Sequence, residues 1–242
     1  GTDVVTGTAV PLGVVAVGSG NDVARDLGLP VHDVARSVDV IRRGLDPVDP
    51  HAGVRPVDAV AVSRPGGPAQ SRYLAVLSCG IDAAVNERAN TLSWPRGNAR
   101  YVRALASELA GFTPYGYRVT ADGWVWEGAA TLVAVANTRT FGGGLRIAPD
   151  ARTDDGLLDV VVADGLSRSA VLRLFPRLYR GSHLGHPAVH LRRARSVLVE
   201  PLGRHGRLPP PAMADGEDLE PLPLQCDVHP GAVGVLARTL GP

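Results

Sequence analysis

Lysine is absent: all 25 basic residues other than histidine are Arg. A Walker A loop needs a Lys to reach the phosphates, and Schiff-base catalysis needs a Lys amine, so neither can operate within this chain. Cysteine is nearly absent. Cys79 and Cys226 are too few for a disulfide scaffold or a Cys-rich zinc site, and each sits in an apolar stretch, which reads as two buried free thiols. No apolar run approaches the ~18 residues of a membrane span, and no secretory signal is visible. Excess charge is lacking too: 24 acids leave a net charge of +1, which points away from nucleic acid as a partner. There is no G-x-S-x-G elbow and no H-E-x-x-H helix. The dinucleotide fingerprint G-x-G-x-x-G fails because Val23 stands at its third glycine. A cytoplasmic protein is the default expectation. The only methionine is Met213 and the first residue is Gly1, so the native start is expected to lie upstream.

What is present is an apolar content of 45% spread over 242 residues, enough for one large or two small domains with a buried core. The 29 Gly and 20 Pro suit short strands joined by turns better than a helical bundle. Leu12 to Val17 reads as a buried strand, followed by Gly18-Ser19-Gly20 and a helix from Asn21 to Leu27. A second helix fits Val31 to Arg43, with Val34, Val38 and Ile41 on one face. Gly44 to Pro56 reads as a linker. Strand signals then dominate: Val57–Val62, Tyr73–Ser78, Gly116–Ala121, Ala130–Ala136, Leu157–Ala163, Ser196–Val199 and Val233–Ala237, with helices at Asp82–Ala89, Asn98–Leu109 and Ser169–Tyr179. The expected class is α+β: a partial α/β domain over residues 1–50, followed by a β-sandwich over 54–237.

Four places could carry chemistry. The turn Gly18-Ser19-Gly20-Asn21-Asp22 lets backbone approach a ligand, and a helix start favours phosphate; an ordinary capped turn explains the same residues. Between Asn137 and Asp159, a triple glycine precedes Asp150, Asp154, Asp155 and Asp159, whose oxygens suit Mg²⁺ or Ca²⁺; a polar turn at Asp155-Gly156 is the plainer alternative. Asp215-Gly216-Glu217 is either a solvated acidic turn or a general base carried into a cleft. Arg173 to Arg207 holds eight Arg and four His with Glu200 as its only acid, which reads as a solvated basic face or a contact for anionic headgroups. His183, His186 and His190 match no strong zinc spacing.

The order of these segments is more specific than any one of them. Gly18-Ser19-Gly20-Asn21-Asp22-Val23-Ala24-Arg25 resembles the G-T-G-N-D-x-A-R segment of the diacylglycerol kinase catalytic-domain family of bacterial lipid kinases, with Ser19 keeping the hydroxyl of the usual Thr. Gly80-Ile81-Asp82-Ala83 is similar to its G-x-D-A segment. Phe141-Gly142-Gly143-Gly144, Ala148-Pro149-Asp150-Ala151 and Asp154 to Asp159 resemble its most distinctive stretch, and Asp215-Gly216-Glu217 its late D-G-E. The G-G-D-G-T motif that cradles ATP phosphates in the family is missing, which makes truncation the expectation and an inactive fragment its consequence.

The resemblance implies ATP-dependent phosphorylation of a lipid hydroxyl, with ATP and Mg²⁺ as cofactors. Glu217 would be the general base, and Asp82 would tie the two domains through water and metal. Gly18, Ser19, Gly20 and Asn21 would form the ATP loop; Asp155, with the carbonyls of Arg152 and Leu157, would hold a structural Mg²⁺. The acceptor would be diacylglycerol at a membrane surface, with the protein peripheral at the inner face and a homodimer left open. A sphingoid-base kinase, an NAD-kinase-like activity and a non-catalytic lipid- or metal-binding sandwich are the alternatives.

Overall fold

The computed structural model describes residues 10–18, 20–46, 53–94 and 98–237, with backbone alone at 86, 87, 89, 90 and 98–102. Two helices, α1 (Asp22–Asp26) and α2 (Val34–Gly44), precede a continuous run of strands: β1 (Val54–Ser63), β2 (Ala69–Tyr73) and β3 (Val76–Gly80). A helical pair follows, α3 (Ile81–Thr91) and α4 (Asn98–Gly111). Then come β4 (Tyr115–Ala121), β5 (Trp124–Ala136), β6 (Leu158–Asp164), α5 (Arg168–Leu178), β7 (Val189–Ala194), β8 (Ser196–Pro201), β9 (Met213–Ala214), β10 (Glu217–Asp218) and β11 (Leu224–Leu236). The strands join in one sheet in the order β10-β9-β3-β5-β4-β8-β11-β1-β2, with β6 and β7 branching from β5. Every pairing between these strands is antiparallel.

The sheet curls over itself. Val60, Val62 and Tyr73 of β1 and β2 share one core with Leu77, Val133, Val135 and Val160 of β3, β5 and β6. The Tyr73 hydroxyl spans the two layers and donates to the Val135 carbonyl at 3.0 Å. The second half of β5, and β6, are buried on both faces, which is why they read as unbroken apolar runs rather than alternating ones. Their second faces, with Leu132, Ala134, Val161 and Ala163, pack under α5 through Leu174 and Leu178. β1 is also double-sided: Val57 and Ala59 point to a third cluster with Ala24 of α1 and Leu27 just past its end.

The pairing of β1 with β11 shifts register at a bulge between Val57 and Ala59. The residue there is Asp58, only 1% exposed. Its carboxylate accepts the N–H groups of Gly156 at 2.7 Å and Gly231 at 2.8 Å, and its own N–H donates to the Thr153 carbonyl at 2.7 Å. The Asn137 amide donates to the carbonyls of Asp58 and Leu74 at 2.9 and 2.8 Å. A buried charge is tolerated only when hydrogen-bonded in this way.

Several sequence expectations need correction. Leu12 to Val17 makes only isolated bridges, Leu12 to Val235 and Ala16 to Val31, and Val15 and Val17 are exposed. The Val34 and Val38 side of α2 faces outward at 54% and 52% exposure, while Ile41 lies close against Gly13. The expected strand at Tyr73–Ser78 is broken by Leu74 and Ala75, whose N–H groups go to a side chain instead of a neighbouring strand. β7 went unrecognised because Arg192 and Arg193 point to solvent in the sequence Val-His-Leu-Arg-Arg-Ala.

Asp58→Ala removes a buried acceptor of two N–H groups and should cost about 3 kcal/mol or more in urea unfolding, because hydrogen bonds to charged groups are worth roughly 1.5–3 kcal/mol each. Exposed Asp218→Ala should stay within about 0.5 kcal/mol of the parent. Equal losses for the two would show that the Asp58 contacts do not hold the bulge.

Candidate active site

A cleft of about 930 Å³ is lined by residues from both ends of the chain. Its polar end carries Asn21, Asp22, Ser78, Asp82 and Asp215. Its inner limb is apolar, with Leu132, Ile147, Val161, Leu174, Leu178 and Val189. The two chemistries meet in one cavity because β3 and the β9 turn stand beside the face of β5 and β6 that α5 covers.

α1 is placed by two carboxylates. Asp22 accepts the Gly143 N–H at 2.9 Å. Asp26, buried, pairs with Arg139 Nε at 2.8 Å, and the same guanidinium donates to the Asp26 carbonyl at 2.9 Å. The triple glycine is therefore an anchor for α1 as well as a wall of the cleft. Asn21 precedes the helix in the left-handed conformation with φ 58° and donates to the Gly18 carbonyl. Gly18, Gly20 and Asn21 line the cleft, and Ser19 lies outside the described residues. α1 is a single turn whose start already carries Asp22, so its own dipole offers an anion little. One oxygen of Asp22 is buried without a partner.

Asp82 enters the cleft through Gly80. That glycine has φ 100°, and a Cβ there would lie 2.5 Å from the Thr131 carbonyl oxygen, so only glycine lets β3 turn into α3 at this place. Asp82 is half-buried and accepts the Ser78 hydroxyl at 2.7 Å. Desolvation pushes its carboxyl above the usual carboxylate range, opposed by the Ser78 hydrogen bond.

Asp215 and Gly216, at φ 51° and 86°, form the two-residue turn between β9 and β10. The Asp215 carboxylate accepts the N–H groups of Leu74 and Ala75 at 2.8 and 2.9 Å, which fixes the turn to the end of β2. Glu217 is the next residue; it is exposed and stands beyond the cleft lining, which Asp215 and Gly216 reach.

The loop before β6 holds the other predicted acids. Asp155 Oδ1 accepts the Leu157 N–H at 3.1 Å, and its other oxygen pairs with Arg193. Arg193 also lies 3.8 Å from Asp159. Asp159 is buried with one oxygen unpartnered, and burial, with Asp155 and Asp150 nearby, pushes its carboxyl up to about 6 despite Arg193. An oxygen set with uncompensated negative charge fits a hard cation, and the guanidinium supplies positive charge at the same place. Arg152 is exposed and reaches Asp154 at 3.2 Å, so only its carbonyl is free to serve such a site. Among the described residues no group of three His, Cys, Asp or Glu forms a ready metal cage. The three histidines are separate: His183 bonds the Ile147 carbonyl at 3.0 Å, His186 accepts the Ala188 N–H, and His190 pairs with Asp164 at 2.9 Å. Cys79 and Cys226 are buried free thiols, and burial raises the Cys226 thiol to about 12.

Sequence reasoning missed Asp58 and Asp26, which position the site without touching it; Asn137, which opens the second candidate stretch, serves the same positioning role. An acid inside an apolar strand, in Pro-Val-Asp-Ala-Val, was the available signal for the first.

The site is thus a glycine-lined polar cleft with an apolar inner limb, set on an α+β fold with a curled antiparallel sheet. Comparison with known proteins supplies the class. The family model "YegS C-terminal NAD kinase beta sandwich-like domain" matches residues 75–237, and "Diacylglycerol kinase catalytic domain" matches residues 2–51. The diacylglycerol kinase of Mycobacterium tuberculosis strain H37Rv is 36% identical over 234 residues, covering 96% of this chain and 71% of that protein. Human sphingosine kinase 2 is 40% identical over 126 residues, which are 51% of this chain and 18% of that protein. A crystal structure of a diacylglycerol kinase from Bacillus anthracis str. Sterne superposes with a TM-score of 0.64 at 23% identity, over 92% of this chain and 67% of that one, and shares the fold. The chain belongs to the diacylglycerol kinase family of lipid kinases.

Asp82→Asn should raise thermal stability. A carboxyl whose folded pKa is raised binds its proton more tightly in the native state, so its contribution is greatest below the unfolded value and is lost as pH rises through the folded pKa. The neutral amide escapes that loss. The Tm difference should be near zero at the acid end and grow in the variant's favour as pH rises through the folded pKa. A variant less stable than the parent at neutral pH would show that ionised Asp82 is held favourably.

Proposed function

We propose that the protein transfers the γ-phosphoryl group of ATP to the free hydroxyl of diacylglycerol or a closely related lipid alcohol. The observation that carries this reading is the continuity of the cleft, from Asn21, Asp82 and Asp215 into an apolar limb between β5, β6 and α5. A lipid alcohol has that same division, a polar end to be phosphorylated and a chain to be kept from water. Family membership supports ATP as donor.

In this reading Gly18, Ser19, Gly20 and Asn21 contact the nucleotide. Glu217, beside the cleft-lining Gly216, accepts the proton of the lipid hydroxyl; the hydroxyl oxygen bonds the γ-phosphorus while the bond to the bridging oxygen breaks and ADP leaves. Asp82 orients water and charge between the nucleotide loop and the sheet. Asp155 and the carbonyls of Arg152 and Leu157, with Asp159 behind them, are the groups that would hold Mg²⁺, which requires Arg193 to leave Asp155. Mg²⁺ bound there would neutralise carboxylates and stiffen the loop that Asp58 anchors. The sequence contains no Gly-Gly-Asp-Gly-Thr segment, so residues 1–242 by themselves are expected to bind lipid without turning it over.

The match to human sphingosine kinase 2 favours a second reading, a sphingoid base as acceptor. The test is label transfer from ATP across diacylglycerol, monoacylglycerol and sphingosine, using a chain that carries the phosphate-cradling segment upstream of Gly1. Diacylglycerol should be the best acceptor. In that chain Glu217→Gln should lower kcat by about 10²–10⁴-fold with ATP binding nearly intact, while neighbouring Asp218→Asn should change little. Preference for sphingosine would replace the acceptor, equal losses for both variants would remove Glu217 as base, and no transfer to any lipid would leave a binding module.

A further inference from the structure

We infer that the outer face of α5 docks the protein on an anionic phospholipid bilayer, directly above the apolar limb of the cleft; this rests on the lipid-acceptor reading of that cleft.

α5 separates two environments. Its inner side puts Val171, Leu174, Phe175 and Leu178 on the cavity. Ser167 caps its start by accepting the Ala170 N–H, so the helix begins at a defined place. Its outer side carries Arg168, Arg173 and Arg177, and Arg180 follows two residues past the end. All four are exposed, and none pairs with an acid among the described residues, whereas Arg36, Arg42, Arg43, Arg118 and Arg204 elsewhere do. The sequence holds no acid between Asp164 and Glu200, and Asp164 is taken by His190. At 100° per residue, Leu172 and Pro176 fall on the outer arc, between Arg168 on one side and the remaining Arg on the other. Leu172 is 59% exposed, while Tyr179 packs its ring edge-on against Phe175 and reaches the cleft lining.

Unpaired cations flanking exposed apolar side chains describe an interfacial helix: the guanidinium groups meet phosphate oxygens and the apolar residues enter the headgroup boundary. A solvated surface helix needs no row of unpartnered Arg and gains nothing from an exposed Leu. Phosphate geometry suits Arg, the only long cation this chain has. The placement also serves the cleft, because a lipid drawn from the bilayer beneath α5 has a short path into the apolar limb.

The experiment is sedimentation of residues 1–242 with vesicles of phosphatidylcholine alone and of phosphatidylcholine mixed with phosphatidylglycerol, without nucleotide or diacylglycerol. Binding should require phosphatidylglycerol and weaken with added salt. Arg173→Glu/Arg177→Glu should reduce partitioning at least about 25-fold, roughly fivefold for each cation removed. The charge-matched Arg36→Glu/Arg42→Glu on α2 should change it far less, and circular dichroism melts show whether each variant is folded. Leu172→Asn is the second probe, since it removes apolar contact without changing charge, and should also weaken binding. Equal binding to both vesicle types, equal loss in the two double variants, or binding of an acidic polypeptide or nucleic acid in place of vesicles would overturn the proposal. Because no acceptor or nucleotide is present, these outcomes are separate from those of the acceptor panel: docking can fail while diacylglycerol is still phosphorylated in detergent, and the acceptor can be wrong while α5 still docks.

Discussion

A single buried carboxylate holds the working parts in register. Asp58 sits at the bulge of β1, and its two oxygens take N–H groups from residues 98 and 173 positions away in sequence. One is on the acidic loop before β6 and the other on the bend of β11. Its carbonyl receives Asn137, which also reaches the end of β2. Cleft walls that are remote in the chain are thereby fixed to one point. The arrangement is costly without its partners and specific with them, which is the usual character of a buried charge.

Around that point the site is assembled largely from acids that serve as acceptors for backbone. Asp215 fixes the β9 turn to Leu74 and Ala75, Asp22 fixes α1 to Gly143, and Asp26 fixes α1 to Arg139. Asp82 differs, because its hydrogen bond is to a hydroxyl and burial disfavours its charge. It is a desolvated acid at the boundary between the polar and the apolar lining. The inner limb is shaped by ordinary packing of β5, β6 and α5, so its dimensions follow from the apolar runs themselves.

How far the sequence was legible depended on range. Strands buried on one or both faces, such as Leu158–Asp164, were visible because apolar content alone marks them. The first halves of β5 and β11 were not, since Trp-Val-Trp-Glu-Gly and Leu-Gln-Cys-Asp-Val mix polar residues into positions decided by pairing with β4 and β8. α2 shows the limit of periodicity: Val34, Val38 and Ile41 share a stripe, yet two of the three face outward. Motif order located the cleft residues 18, 20, 21 and 82, which the fold does bring together. Spacing could not reveal that Arg193, from a different strand, lies on Asp155, or that Asp58 joins three loops, because those contacts depend on sheet topology.

The central claim is that one cleft receives both the polar end and the chain of a lipid alcohol. It is tested most directly with a diacylglycerol carrying a photoreactive group at the end of one acyl chain, irradiated with residues 1–242 and mapped by peptide mass spectrometry. The account predicts adducts on the inner limb, on peptides containing Leu132, Val161, Leu174, Leu178 or Val189, and their loss when unlabelled diacylglycerol competes. Adducts confined to other surfaces, or unaffected by competitor, would contradict it.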